Sequence, residues 1–216
     1  MSNNIDILKG KFITFEGVEG AGKSTQSKIF VDYLNDNGIK AEWTREPGGC
    51  NSAEEIRKLL LTGDVNKWDG ITELLLMYAS RRMHTIQKIQ PLLQQNITVV
   101  SDRYFDSSLA YQGFGHQLPI EKIETIRKVV LDDFKPDLTI ILDLPIEEGL
   151  ARAVHRGKLD RFEKMTIDFH NRVKEGFDYI YKTEKNRCIK INVSCLSTDD
   201  LTSTIIGSAV EFFNRK

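Results

Sequence analysis

Short apolar runs alternate with longer amphipathic stretches along most of the chain. The apolar runs are rich in β-branched residues, which is typical of strands buried on both faces of a parallel sheet. The predicted strands are Phe12–Glu16, Lys40–Thr44, Thr98–Ser101, Leu138–Asp143 and Cys188–Asn192. The amphipathic stretches predict helices at Lys23–Asn37, Ala53–Leu61, Thr72–Gln94, Ile120–Phe134, Glu147–Val154, about Asp168–Glu184 and Thr198–Asn214. This order predicts an α/β fold in which helices cover both faces of a five-stranded parallel sheet, with ligands bound at the carboxyl ends of the strands.

Length and composition favour one compact domain over residues 1–216, with 40% hydrophobic residues to build its core. Lys and Arg total 30 against 31 Asp and Glu, so the net charge of -1 gives no general attraction to a nucleic-acid polymer. No apolar run reaches the roughly 18 residues of a membrane span, and the first residues lack the apolar core of a signal peptide. The three cysteines, Cys50, Cys188 and Cys195, lack paired metal-ligand spacing and are expected to be reduced. We therefore expect a cytoplasmic protein without a membrane or nucleic-acid partner.

The stretch FEGVEGAGKST, from Phe15 to Thr25, has the phosphate-loop spacing GxxxxGK[ST] between a predicted strand and a predicted helix. Backbone N–H groups and the helix start would hold the phosphates of ATP, Lys23 would reach the β and γ phosphates, and the Ser24 hydroxyl could ligand Mg²⁺. The predicted ATP-binding residues here are Gly17, Val18, Glu19, Gly20, Ala21, Gly22, Lys23, Ser24 and Thr25. The loop indicates a P-loop NTPase but does not say what happens to the nucleotide, because switches, motors and kinases share it.

A second string, NKWD at residues 66–69, imitates the guanine-reading motif of GTPases. That motif should follow a buried strand, whereas this string follows the turn-like TGDV. We interpret the match as coincidence.

Charged residues cluster after the second and third predicted strands. TREPGG places Arg45 and Glu46 at one strand end, and DRYFDSSLAYQG places Asp102 and Arg103 at the next. An acid at the end of a buried strand can help hold Mg²⁺, and an arginine can grip a phosphate with two hydrogen bonds. For Arg57 and the pair Arg81-Arg82, a solvated helix face is an equally good interpretation.

Taken together, these segments resemble thymidylate kinases in order from Phe12 to about Tyr181. The matching strings are FEGVEGAGKST, TREPGG, MYASRR, DRYFDSSLAYQG, DFKPDLTIILDL and RGKLDRFE. The resemblance implies a fold like that of nucleoside monophosphate kinases with a short lid. It also implies transfer of the γ-phosphoryl group of ATP to dTMP with Mg²⁺, giving dTDP, and a homodimer packed through helices.

The resemblance assigns a substrate role to each matching position. Arg57 and Arg103 match residues that hold the dTMP phosphate, and Arg45 and Glu46 shape the same pocket. Arg81, Ser108 and Gln112 match the thymine site, Tyr111 matches the tyrosine near the sugar, and Glu19 matches an acid that approaches the 3′-hydroxyl or a metal-bound water. The sequence departs from the family at Met77, where a phenylalanine usually stacks on thymine. A thioether can still contact a ring face, or Tyr78 could compensate by a shift of the helix.

The resemblance also points to a lid at about residues 151–163. Ala21 stands where some relatives carry an arginine in the phosphate loop, and ARAVHRGKLDRFE is the alternative source of an arginine for the transition state. Arg156 is the best candidate, with Arg152 assisting at the ATP phosphates and Glu163 near the acceptor. The expected catalytic residues are Lys23, Arg103 and Arg156, and the expected Mg²⁺ ligands are Ser24 and Asp102.

The remaining polar and aromatic residues have structural interpretations. We expect structural or solvent-facing roles for His84, His116, His155 and His170, packing roles for Trp43 and Trp68, and a core or subunit-interface role for the stripe Ile71, Leu74, Leu75 and Tyr78. Two other functions stay open: a kinase for another deoxynucleotide or a deoxynucleoside, and a nucleotide-dependent switch. The arginines expected to hold an acceptor phosphate argue against a nucleoside, which carries no phosphate.

Overall fold

The strands and helices follow the predicted alternation. The computed structural model describes residues 5–157 and 159–215. Its strands are β1 (Phe12–Gly17), β2 (Ala41–Arg45), β3 (Thr98–Asp102), β4 (Leu138–Asp143) and β5 (Cys188–Asn192). Its helices are α1 (Lys23–Asp36), α2 (Asn51–Leu61), α3 (Gly70–His84), α4 (Gln90–Gln94), α5 (Phe105–Ser108), α6 (Ile120–Leu131), α7 (Ile146–Arg156), α8 (Ile167–Thr183) and α9 (Thr198–Asn214), preceded by a 3₁₀ turn at Ile5–Leu8.

The five strands form one parallel sheet in the order β2-β3-β1-β4-β5. The chain leaves β1 toward β2 and leaves β3 in the opposite direction toward β4, so a crevice opens between the carboxyl ends of β1 and β3. Phe15 of β1 is paired with Asp102 of β3, which puts the two strand ends side by side. The phosphate loop and the residues after Asp102 therefore border the same crevice.

Alternation along β1 divides its side chains between the two faces of the sheet. Ile13 and Phe15 pack in a core cluster with Phe30 of α1, whereas Phe12 packs in a second cluster with Tyr78 of α3. Both sets of side chains are almost completely buried. The prediction of a parallel sheet covered by helices on both faces is confirmed.

Two helical segments differ from the sequence prediction. The predicted helix Thr72–Gln94 contains a π-helical stretch at Thr85–Ile89, just before Pro91, whose ring nitrogen cannot donate a helical hydrogen bond. The segment after β3, which carries no helix prediction, forms α5 and continues as a π-helical stretch at Leu109–Gly115. Most of that stretch is buried, so it shows no amphipathic period.

Two small features bear on function. The NKWD string forms the turn before α3, where the Asp69 carboxylate accepts hydrogen bonds from the first helical N–H groups. Within the predicted lid, α7 ends at Arg156, and Lys158 lies outside the described residues.

No helix in residues 5–157 and 159–215 is long and apolar enough to cross a membrane.

Candidate active site

A cavity of about 500 Å³ opens at the carboxyl ends of the strands, a size typical of small-molecule sites. Its walls come from the phosphate loop, the β2–α2 turn, α3, the segment after β3 and the lid. The predicted site residues that line it are Glu19, Gly20, Gly22, Lys23, Ser24, Thr25, Arg45, Glu46, Arg57, Met77, Arg81, Asp102, Arg103, Ser108, Tyr111, Gln112, Arg152, Arg156 and Glu163. The structure thus brings together residues that are far apart in sequence. Gly17, Val18 and Ala21 belong to the loop but do not line the cavity.

The phosphate loop leaves the start of α1 open. Gly22 stands at the N-cap in a left-handed conformation, and no side chain in the described part of the chain caps the first helical N–H groups. Gly20 also has a positive φ of 71°, and a Cβ there would collide with the Gly149 carbonyl. Lys23 Nζ donates to the Val18 carbonyl oxygen at 2.7 Å, and burial lowers its pKa to about 8, with Arg103 acting in the same direction. Free N–H groups and a cation make this helix start an anion site.

Ser24 and Asp102, the two predicted metal ligands, meet at the edge of this anion site. The Ser24 hydroxyl donates to the Asp102 carboxylate. A hydroxyl and a carboxylate are the hard oxygen ligands that suit Mg²⁺ when nucleotide phosphates and water complete its shell. No group of three or more His, Cys, Asp or Glu side chains among the described residues could hold a metal alone. The Ser24 hydroxyl and the Asp102 carboxylate by themselves suit part of such a shell.

The Glu19 side chain contacts the segment after β3. Its Oε1 accepts hydrogen bonds from Arg103 Nη2 at 2.7 Å and from the Tyr111 hydroxyl at 2.6 Å. Burial alone would raise the pKa of the Glu19 carboxyl, but Arg103 and Lys23 outweigh it and lower that pKa to about 2. The Arg103 guanidinium also lies 4.9 Å from the centre of the Tyr111 ring. The carboxylate thus stays ionised between a cation and a hydroxyl donor.

Arg103 itself has a left-handed backbone, with φ of 72°, which is uncommon outside glycine. A residue that the sequence analysis missed, Glu16 of β1, braces the turn that follows. Its carboxyl accepts from the Tyr104 N–H at 2.7 Å and from the Ser107 hydroxyl at 2.6 Å. Burial, and after it the nearby Asp106 carboxylate, raise the pKa of Glu16 to about 7. In the sequence Glu16 is one polar residue within an apolar run, which gives no sign of this role.

Arg81 of α3 lines the cavity and is only 1% exposed. Its Nε donates to Glu46 at 2.7 Å, its Nη1 to the Ser108 hydroxyl at 2.8 Å and its Nη2 to the Tyr104 carbonyl oxygen at 3.1 Å. The solvated-face alternative is therefore wrong for Arg81, because a buried carboxylate from a distant segment pairs with it. It holds for Arg82, which is exposed and donates to the Val130 carbonyl oxygen.

Two adjacent residues of α3, Met77 and Tyr78, lie in different environments. Met77 lines the cavity, whereas Tyr78 is 1% exposed and packs in the core cluster with Leu74. The alternative in which Tyr78 takes the stacking position is therefore wrong in this structure, because its ring is committed to the core. Leu75, from the same stripe, is 53% exposed.

The three lid arginines have different environments. Arg156 is 62% exposed and donates to the buried Glu163 carboxylate, and Arg152 pairs with Glu148 on α7. Arg161, the third arginine of the string ARAVHRGKLDRFE, is completely buried and donates to the Leu60 carbonyl oxygen at 2.9 Å. Arg161 does not line the cavity, since its buried bonds to Leu60 and Glu73 hold it in place.

Comparison with known proteins shows to which family this chain belongs. A model of the family described as thymidylate kinase matches residues 15–205. The chain belongs to the thymidylate kinase family. The prediction made from the ordered motifs is thus confirmed, and so is the P-loop fold that it implied.

Individual thymidylate kinases are similar over nearly their whole lengths. The one from Caulobacter vibrioides is 44% identical over 205 residues, covering 95% of this chain and 98% of the relative. The one from Bradyrhizobium is 42% identical over 205 residues, covering 94% of this chain and 90% of the relative. The crystal structure of a thymidylate kinase from Ehrlichia chaffeensis matches with a TM-score of 0.75 and 32% identity, covering 94% of this chain and 98% of the other.

Several cavity residues of this thymidylate kinase family member carry no sequence prediction as site residues. They are Lys28, Trp43, Pro47, Leu61, Tyr104, Ser107, Asp160 and Phe162. Trp43, expected only to pack, lines the cavity, and Lys28 Nζ lies 4.7 Å from the centre of its ring. Ser107, Asp160 and Phe162 lie inside the strings DRYFDSSLAYQG and RGKLDRFE. Their position beside predicted site residues could have identified them. For Trp43 and Leu61 the sequence held no such signal, because the same residue types pack in a core and line a cavity.

Proposed function

We propose that the chain transfers the γ-phosphoryl group of ATP to dTMP, giving dTDP, as a step in dTTP synthesis. The observation that carries the proposal is that one cavity is lined both by the open start of α1 and by the buried Arg81 network. An anion site and a base-reading site joined by arginines suit a donor and an acceptor nucleotide with their phosphates facing each other.

The donor end would hold ATP. Backbone N–H groups from Gly20 to Thr25 and the Lys23 ammonium match the charge of the β and γ phosphates, and Arg152 lines the same cavity. Mg²⁺, when bound with ATP, would be held by Ser24 and Asp102 and would neutralise phosphate charge. Lys23 would then exchange its bond to the Val18 carbonyl oxygen for the phosphates.

The acceptor phosphate would be held by Arg103, Arg57 and Arg45. Each of them has a weak or exchangeable partner in the structure: Arg57 Nη1 donates to the Pro47 carbonyl oxygen at 2.6 Å, and Arg45 pairs with Glu54 at 3.3 Å. Arg103 binds Glu19 through Nη2, and its Nη1 makes only the longer bonds to the Gly17 carbonyl oxygen at 3.3 Å and the Ser107 hydroxyl at 3.2 Å, which a phosphate would replace. We assign Glu19 to the 3′-hydroxyl of the sugar, beside Tyr111.

The base would lie against Met77 and the end of the Arg81 side chain. Ser108 and Gln112 complete this wall, and Glu46 holds the guanidinium in place. A buried site that hydrogen-bonds a base edge discriminates strongly, because a wrong base leaves polar groups unpaired. Phosphoryl transfer would be assisted by Lys23, by Arg103 and by Arg156 of the lid.

Two further properties belong to the proposal. A homodimer packed through helices is supported by the exposed Leu75 on α3, since a large apolar side chain in water favours burial by a partner. A cytoplasmic location is supported by the three cysteines, which are free.

A coupled assay of ADP release with purified protein tests the function. The acceptors are dTMP, dUMP, thymidine, dCMP and AMP, and we expect dTMP to give the highest kcat/KM. Lys23→Met should abolish the signal, which assigns it to this site and not to a contaminating kinase. ATP turnover that ignores every acceptor would overturn the proposal in favour of a switch, and a preference for thymidine would indicate a nucleoside kinase.

A further inference from the structure

The side-chain amide of Gln112 has a defined orientation. Gln112 lines the cavity, is 1% exposed and donates from Nε2 to Glu73 Oε1 at 2.7 Å. An ionised carboxylate has no N–H or O–H to donate, so the amide end that faces it must be the NH₂ group. The Gln112 oxygen therefore points away from Glu73, and it is buried without a hydrogen-bond partner in the part of the chain that the structure describes.

Glu73 is itself held in place from two sides. The Arg161 guanidinium donates to its Oε2, and His116 Nε2 lies 3.1 Å from its Oε1. Arg161 is fixed in turn by the carbonyl oxygens of Leu60 and Val65, at 2.9 and 3.2 Å. Burial raises the pKa of Glu73, but His116 and Arg161 outweigh burial and lower it, so the carboxyl stays ionised. Such a group cannot donate to the amide in place of accepting from it.

We propose that Glu73 is a positioning residue for base selection, which fixes the Gln112 amide so that its oxygen is the acceptor offered to the acceptor nucleotide's base. This inference rests on the proposed function and names a determinant of its specificity. A base with an N–H at the facing edge, such as the imide of thymine, satisfies the buried oxygen. Cytosine presents a lone pair at the equivalent ring nitrogen, which leaves two acceptors facing each other.

The contact also joins the base site to the lid segment. Arg161 belongs to the string RGKLDRFE, which also contains Arg156. Arg161 donates to Glu73, and Glu73 in turn accepts from Gln112. The sequence gives no sign of this connection, because 88 residues separate Glu73 and Arg161.

The test compares dTMP with dCMP as acceptors, using the ratio of their kcat/KM values. In Glu73→Gln, residue 73 can turn either an oxygen or an NH₂ group toward Gln112, so the Gln112 amide is free to reverse. We expect the ratio to fall by about tenfold or more, mainly through a higher KM for dTMP and a lower KM for dCMP. Glu121→Gln, an exposed change on α6, is the matched control and should leave the ratio unchanged.

A double-mutant cycle separates positioning from general damage. If Glu73 acts through Gln112, Glu73→Gln should not change the ratio further in a Gln112→Leu background. Because Glu73→Gln leaves Arg161 with a weaker partner, it could fail to fold. Glu73→Met combined with Arg161→Met removes the buried pair as a unit, which proteins often tolerate, and should lower the ratio similarly.

Three results are decisive. A fall in the ratio that disappears in the Gln112→Leu background supports the positioning role. Equal losses for dTMP and dCMP, or an unchanged ratio, would overturn it while leaving the proposed function intact. A wild-type protein that phosphorylates neither nucleotide would overturn the proposed function and this inference together.

Discussion

Replacing Arg156 by alanine removes a guanidinium that lines the cavity at the end of α7. Arg156 ends α7, is 62% exposed and donates to Glu163, which is itself 2% exposed. In the proposed reaction this guanidinium exchanges Glu163 for the transferred phosphoryl group, whose charge is spread in the transition state. The variant therefore removes a contact that is made mainly in the transition state.

The expected magnitude follows from the chemistry of one such donor. Removing a preorganised hydrogen-bond donor to a developing charge costs about 2.7–4 kcal/mol, which is roughly a 10²–10³-fold loss in kcat. The effect on stability should be smaller, because Arg156 is mostly exposed and the buried Glu163 carboxylate keeps the hydrogen bond from the Asp160 N–H at 3.0 Å. We therefore expect Arg156→Ala to lower kcat by at least ~10²-fold while the free energy of unfolding changes by less than the roughly 2.7 kcal/mol that this loss in kcat represents.

The assay needs both turnover and binding. Single-turnover transfer with saturating ATP and dTMP gives the chemical step, nucleotide fluorescence gives the Kd of each substrate, and urea unfolding gives stability. Arg215→Ala is the matched control, since Arg215 is also exposed and also pairs with a glutamate, Glu211 on α9. It should leave kcat and both Kd values at the wild-type level.

Two results would refute the role given to Arg156. A kcat close to that of the wild type would mean that another group meets the charge of the transition state. Losses of equal size in ATP binding and in turnover would make Arg156 a ground-state ligand. A larger fall in kcat for Arg152→Ala would move the assignment to that residue, which pairs with Glu148 in the structure.

Three further predictions concern the acceptor half of the site. Met77→Phe should lower the KM for dTMP, because a flat ring stacks more rigidly than a thioether; an unchanged KM would mean that Met77 is not at the stacking position. Glu19→Gln should raise the KM for dTMP by about tenfold and change the Kd of ATP little, because it weakens the partner of Arg103 and Tyr111; equal changes for both nucleotides would contradict this. Glu16 has a folded-state pKa of about 7, above its ordinary value of 4.5, so the folded protein keeps a proton that the unfolded chain releases. The Glu16 contribution to stability is thus complete below pH 4.5 and is lost, by up to ~3 kcal/mol, as the pH rises to about 7. Glu16→Gln should flatten this part of the pH profile in urea unfolding, and a profile as steep as that of the wild type would refute the assignment.

The sequence alone predicted the features that are encoded locally. The phosphate loop is readable because its glycines, lysine and serine lie in one contiguous stretch between a strand and a helix. The five strands were predicted because each is a short, largely apolar run, and β1 and β4 are buried on both faces. The family was readable because its motifs occur in order along the chain, and the matching family confirms it.

The tertiary structure decided the environment of each charged side chain. Arg81 and Arg82 are adjacent and chemically identical, yet only Arg81 has a buried carboxylate beside it, supplied by Glu46 from 35 residues away. Glu16 and Glu73 gain their roles in the same way, from partners on distant segments. A sequence specifies which side chains can donate or accept, but the free energy of a buried charge depends on which partner the fold brings within hydrogen-bond distance.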